Sequence, residues 1–109
     1  MITFNCTIQE GIIPGDLRPA LASELARIST GILGGDPNDV SVQWIEVPHG
    51  FGFRGGELST TSAVRGEIPP GCDQETRVRL MQTIQDRWME LTGCTTAELV
   101  VSARDRREN

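Results

Sequence analysis

The chain has 109 residues and a formal net charge of -5, and all ten of its basic residues are arginine. A chain of this length can bury one core, and its acidic balance argues against nucleic-acid binding, which needs a basic face. The lack of lysine excludes a side-chain Schiff base and pyridoxal phosphate held that way, the lack of tyrosine excludes a phenolic acid, and the single histidine, His49, excludes an internal two-histidine zinc site.

The run from Met1 to Ile8 alternates. Ile2, Phe4, Cys6 and Ile8 fall on one face and Thr3, Asn5 and Thr7 on the other, the period of a half-buried strand. Ile12-Ile13-Pro14-Gly15 breaks it. Asp16 is placed to cap a helix, with Pro19 in the first turn, where its missing N–H costs nothing. Leu17, Leu21, Leu25, Ile28 and Ile32 then form one apolar stripe, and Gly34-Gly35 ends the helix. Val40 to Val47 reads as a second strand, apolar on much of both faces, as expected where both faces are covered.

Pro48 to Gly56 is a glycine-rich loop carrying His49, Phe51, Phe53 and Arg54, residue types common in binding loops on rigid scaffolds. Glu57 to Ile68 reads as a third strand of mostly small side chains, including Arg65, and Pro69-Pro70-Gly71 stops it. Asp73 caps a second helix with the stripe Val78, Met81, Ile84, Trp88 and Leu91, ended by Gly93. Thr95 to Glu98 is a short connection, and Leu99 to Ala103 is a fourth strand. The mixed-charge tail from Arg104 to Asn109 is expected to be solvated.

This order, β-α-β, a loop, then β-α-β, describes one α+β domain over 1–109, with halves at about 1–50 and 57–104. A ferredoxin-like sandwich and a tandem β-α-β fold share the order, and periodicity leaves both open. The three cysteines, Cys6, Cys72 and Cys94, are odd in number and widely spaced, and no signal peptide is recognised. The expectation is reduced thiols in the cytoplasm, with Cys6 in the core. No apolar run approaches membrane-spanning length.

The opening ITFNCTIQEG, ending in Glu10-Gly11, is similar to the start of 4-oxalocrotonate tautomerase and its relatives. VSVQWIEVP resembles the second strand of that superfamily, and FRGGEL, Phe53 to Leu58, its Gly-Gly hairpin. RLMQTIQDRWMELTGCTTAELVVSARD resembles the second helix and strand of the macrophage migration inhibitory factor and haloacrylic acid dehalogenase branches. The likeness covers roughly residues 2 to 103 and rests on order and spacing, since each motif is short.

The resemblance implies a four-stranded sheet covered by two helices, a homotrimer, and chemistry on small 2-oxo, enol or unsaturated carboxylic acids. It implies no metal and no cofactor. In the family an N-terminal proline amine moves the proton, arginines hold the carboxylate and aromatic residues dry the pocket. Here Ile2 stands where the family has proline. A bulky residue at that position ordinarily blocks removal of Met1, leaving a primary amine. Such an amine has a pKa of roughly 7.7–8.0, and arginines nearby would lower it, so the Met1 amine could serve as base or form an imine. It would sit one residue farther along the chain, about 3.5 Å. Weak, altered or absent catalysis is therefore expected, since ~1 Å of misplacement can cost two orders of magnitude in rate.

Arg65 and Arg54 are the candidate carboxylate anchors. The bland readings are an ion pair of Arg65 with Glu67 or a helix carboxylate, and a solvated loop charge for Arg54. Phe51 and Phe53 are candidate pocket walls or subunit-interface packing. Trp44 and Trp88 read as core, and Cys72 and Cys94 as inert thiols. Two functions stand side by side: a tautomerase using Met1 with Arg54 or Arg65, and a catalytically weak or inactive member that binds a small molecule or a partner.

Overall fold

The computed structural model describes residues 2–48, 53–54, 57–58 and 61–106, and of 53–54 and 57–58 only the backbone. The elements are β1 (Ile2–Gln9), α1 (Leu17–Leu33), β2 (Val40–Val47), β3 (Phe53–Arg54), β4 (Glu57–Leu58), β5 (Ser62–Ile68), α2 (Gln74–Thr92) and β6 (Leu99–Asp105). Single 3₁₀ turns at Pro37–Asp39 and Thr96–Glu98 lead into β2 and β6.

The main sheet has the order β2-β1-β5-β6. β1 runs parallel to β2 and β5 parallel to β6, while β1 and β5 pair antiparallel at the centre. Each β-α-β half thus keeps its two strands adjacent. The ferredoxin-like alternative would have an antiparallel sheet, so the tandem fold is the one present. The third strand expected over Glu57 to Ile68 is instead two pieces. Glu57–Leu58 pairs with Phe53–Arg54 in a separate hairpin, and only Ser62–Ile68 joins the main sheet. The alternation that a strand lining a core requires runs only from Ser62 onward, where Ser62, Val64, Gly66 and Ile68 are buried in turn.

The core lies between one face of the sheet and both helices. Ile2, Phe4, Cys6 and Ile8 of β1 meet Leu21, Leu25 and Ile28 of α1 and Leu80, Ile84 and Trp88 of α2. Phe4 is fully buried, and its ring fills the space over Gly66, its neighbour on β5. A Cβ at Gly66 would lie 2.9 Å from that ring, so glycine is required there by contact. Burial pushes the Cys6 thiol up to about 12, which makes it an inert core group.

Several local expectations are corrected. Asp16 makes no side-chain cap, because its own backbone is already helical. Asp73 does cap α2, accepting the Thr76 amide at 2.7 Å, and Gly93 ends that helix with φ of 75°, a left-handed conformation suited to glycine. The buried stripe of α2 runs through Leu80, Ile84 and Trp88, while Val78 is 48% exposed. β2 is an edge strand of the sheet, and Ile45 on it is 50% exposed. Trp44 is only half-buried, tilted against Trp88 at 5.9 Å between ring centres, with the Arg18 guanidinium 5.8 Å from its own ring centre. Arg18 also pairs with Glu46.

β6 extends to Asp105, so the first part of the tail is not solvated coil. Asp105 pairs with Arg77 of α2 at 2.6 Å, and the Arg106 amide donates to the Ile68 carbonyl at 2.8 Å. Among the described residues no helix is long and apolar enough to cross a membrane.

Candidate functional site

The start of β1 lies at one end of the sheet, against the helix layer. Ile2 pairs with Val40 and turns its side chain toward the helices, where it is 5% exposed. Beside it opens a cleft of about 260 Å³, walled by Ile2, Val40 and Pro69, by Leu33 and Gly34 at the end of α1, and by Asp36 and Asp39. A second hollow of about 330 Å³ shares Leu33 and Pro69 with it and extends to Cys72, Asp73 and Thr76.

The charged groups in this trough are carboxylates. Asp36 accepts the Asn38 amide at 2.9 Å, capping the turn into β2. Hydrogen bonds from the Thr76 hydroxyl and then its amide hold the Asp73 carboxyl below the usual carboxylate range. Among the described residues no arginine lines either hollow. The carboxylates of this trough repel a substrate carboxylate.

The arginine resource lies on the other face of the sheet. Thr3, Asn5 and Thr7 point there, and register places Arg65 beside Asn5 and Ser102, and Glu67 beside Thr3 and Arg104. Arg65 is exposed and forms no ion pair among the described residues, so its pairing with Glu67 or a helix carboxylate is not formed. Asn5 lies three residues from Ile2, so Arg65 is ~10 Å along the sheet from the start of β1. Among the described residues no helix covers this face, which presents Ile45 and Val100 half-exposed among polar side chains. Arg104, which sequence reasoning assigned to a solvated tail, joins this face through the extension of β6. The signal was available: Val100, Ser102 and Arg104 share one parity.

Met1 and Phe51 lie outside the described residues, as does His49. Phe53 and Arg54 form β3, with their side chains outside the description. Among the described residues no group of three or more His, Cys, Asp or Glu side chains is arranged to hold a metal.

The remaining charged network is structural. Glu24 of α1 accepts Arg27 at 2.6 Å and Arg87 of α2 at 3.0 Å, and Arg87 also reaches Glu90 at 2.9 Å. The hydrogen bonds from Arg27 and then Arg87 hold the Glu24 carboxyl below its ordinary value.

No protein-family model and no curated protein matches the sequence. Solved structures do match the fold. Ps01740 superposes with a TM-score of 0.91 at 29% identity, over 95% of this chain and 93% of that one. N1, a member of the cis-3-chloroacrylic acid dehalogenase family, gives 0.90 at 16% identity, over 95% and 74%. A fused 4-OT described as a symmetric trimer gives 0.84 at 19% identity, over 95% and 85%. The architecture is that of the tautomerase superfamily.

Proposed function

We propose, with the tautomerase-superfamily fold as premise, that this chain acts on a small 2-oxo, enol or unsaturated carboxylic acid by proton transfer at its N-terminal amine. The observation that carries the reading is Arg65, an exposed guanidinium without an ion pair among the described residues, set in the polar row beside Asn5. Such a group is free to fork onto a carboxylate. In the reaction the neutral Met1 amine takes the enol hydroxyl proton, and the ammonium returns a proton to the adjacent carbon. Arg65 holds the substrate acid throughout. Amine and guanidinium suffice for this transfer, and no metal or cofactor is invoked.

The proposed assembly is a homotrimer. The uncovered sheet face, with Ile45 and Val100 half-exposed, is the surface that further copies would close, and a structural neighbour is a symmetric trimer. In that assembly Arg54, Phe51 and Phe53 of one copy complete the pocket of the next. The three free cysteines fit a reducing cytoplasm.

The test is ketonisation of phenylenolpyruvate by the unmodified protein beside an N-terminally acetylated sample. A rate above buffer that acetylation abolishes, and that Arg65→Ala reduces, is the expected result. A rate that survives acetylation moves the chemistry to an internal residue.

A second reading has its own observation. The Ile2 side chain is committed to the core, and the cleft beside it carries Asp36 and Asp39. Nearby carboxylates favour the charged form of an amine, which is no base. On this reading the chain is a small-molecule or partner-binding module without turnover. It predicts no rate in either sample, together with a concentration-dependent response to simple 2-oxo acids in calorimetry.

A further inference from the structure

A separate cleft lies at the opposite end of the sheet. Its walls are Ile12 and Ile13 from the turn after β1, Ser62 at the start of β5, Trp88, Thr92 and Gly93 at the end of α2, and Cys94 and Glu98 beyond it. Its volume is about 190 Å³. Ser62 follows the β1–β5 register one step past the Ala63–Thr7 pair, which puts it ~20 Å along the sheet from Ile2.

Three features of this cleft agree on the chemistry of an occupant. Ile12, Ile13 and Trp88 supply an apolar wall. Ser62 is 3% exposed as a residue, lies on the helix-facing side of β5 and lines the cleft, and no side-chain hydrogen bond of its hydroxyl is formed among the described residues. The Ser62 hydroxyl is open to the cleft and able to bond to an occupant. The third feature is charge. The last turn of α2 carries no basic residue, so the negative end of its dipole faces the cleft uncompensated. Glu98 adds a full negative charge, its Oε1 held at 3.0 Å from both the Thr95 amide and hydroxyl. No arginine lines the cleft among the described residues.

We propose that this cleft binds a small organic cation, an apolar body carrying an ammonium group. The apolar body packs on Ile12, Ile13 and Trp88. The ammonium faces Glu98 and the carbonyl end of α2, and one of its protons satisfies the Ser62 hydroxyl oxygen. This is the reverse of the acid selectivity proposed at Arg65, and the two sites are independent.

The experiment titrates the intact protein with benzylammonium and follows the amide signals of Ile13, Thr92 and Cys94 by NMR. Benzyl alcohol and benzoate serve as the neutral and anionic comparators. Saturable shifts at these three residues below about 10 mM are expected, with benzoate giving none. Glu98→Gln keeps a capping-box side chain, so the turn into β6 is retained. It should weaken benzylammonium about tenfold, the loss of a charge-assisted contact, and leave benzyl alcohol unchanged. Ser62→Ala should weaken benzylammonium about fivefold. Equal binding of all three probes, preference for benzoate, or no shift up to about 10 mM overturns the proposal.

Discussion

The two faces of the four-stranded sheet are made from the same strands and have opposite properties. On the helix side, Phe4, Cys6, Ile8, Val64 and Ile68 are closed off from water and packed to the point where Gly66 admits no methyl group. On the other side, Thr3, Asn5, Arg65, Glu67, Ser102 and Arg104 stand in rows that no helix covers among the described residues. One face holds the chain together. The other contributes little to the stability of a single chain and carries the side chains able to recognise an acid or another copy. The difference follows from a period of two: each strand sends alternate residues to opposite faces, so stability and recognition are written into interleaved positions.

The sharpest way to break this contrast is to empty the covered face. Phe4→Ala should cost about 3–5 kcal/mol in urea unfolding, because a fully buried ring is removed and its space cannot collapse. Gly66→Ala tests the same contact from the other side. It should cost about 1–3 kcal/mol, and Phe4→Leu in the same chain should recover part of that loss; additive losses would show that the ring is not the obstacle.

The next effect depends on pH. Glu24 has its folded pKa depressed by Arg27 and Arg87, so its contribution is present above the unfolded carboxylate value of about 4.3 and is lost as pH falls through the lower folded value. Thermal melts should therefore show Glu24→Gln narrowing its deficit to the parent as pH drops from neutral toward 3. The group is solvent-facing, so salt should shrink the effect as well. The smallest effects belong to exposed positions. Arg65→Ala and Val78→Ser should each stay within about 0.5 kcal/mol of the parent in urea, as neither side chain holds a buried contact. A large loss for Arg65→Ala would mean that the open face also stabilises the fold.

Element order was legible because each element has strong local punctuation. The alternation of β1, the stripe of α1, Pro69-Pro70-Gly71, the Asp73 cap and Gly93 all lie where the chain turns or periodicity changes. The stripe of α2 was read correctly at Ile84 and Trp88, but its first turns were placed on Val78 and Met81 where Leu80 is the buried residue. Both sets repeat at helical spacing, and only the position of β5 and β6 beneath the helix selects between them. The split of the third strand was missed because small residues from Ser59 to Ala63 have no alternation to read.

What the sequence determined by itself was therefore local: which segments are strand or helix, which face of β1 is apolar, and that Cys6 is core. Three facts needed the tertiary structure. The pairing of β1 with β5 set Arg65 beside Asn5, on the face away from the clefts. The continuation of β6 to Asp105 brought Arg104 onto that face and tied Asp105 to Arg77. The trough at the start of β1 proved to be lined by aspartates, because the turn into β2 and the start of α2 both present their capping carboxylates there. Periodicity carries the direction of a side chain relative to its own backbone. Which charges end up together depends on strand order and register, and these are set by contacts between residues far apart in the chain.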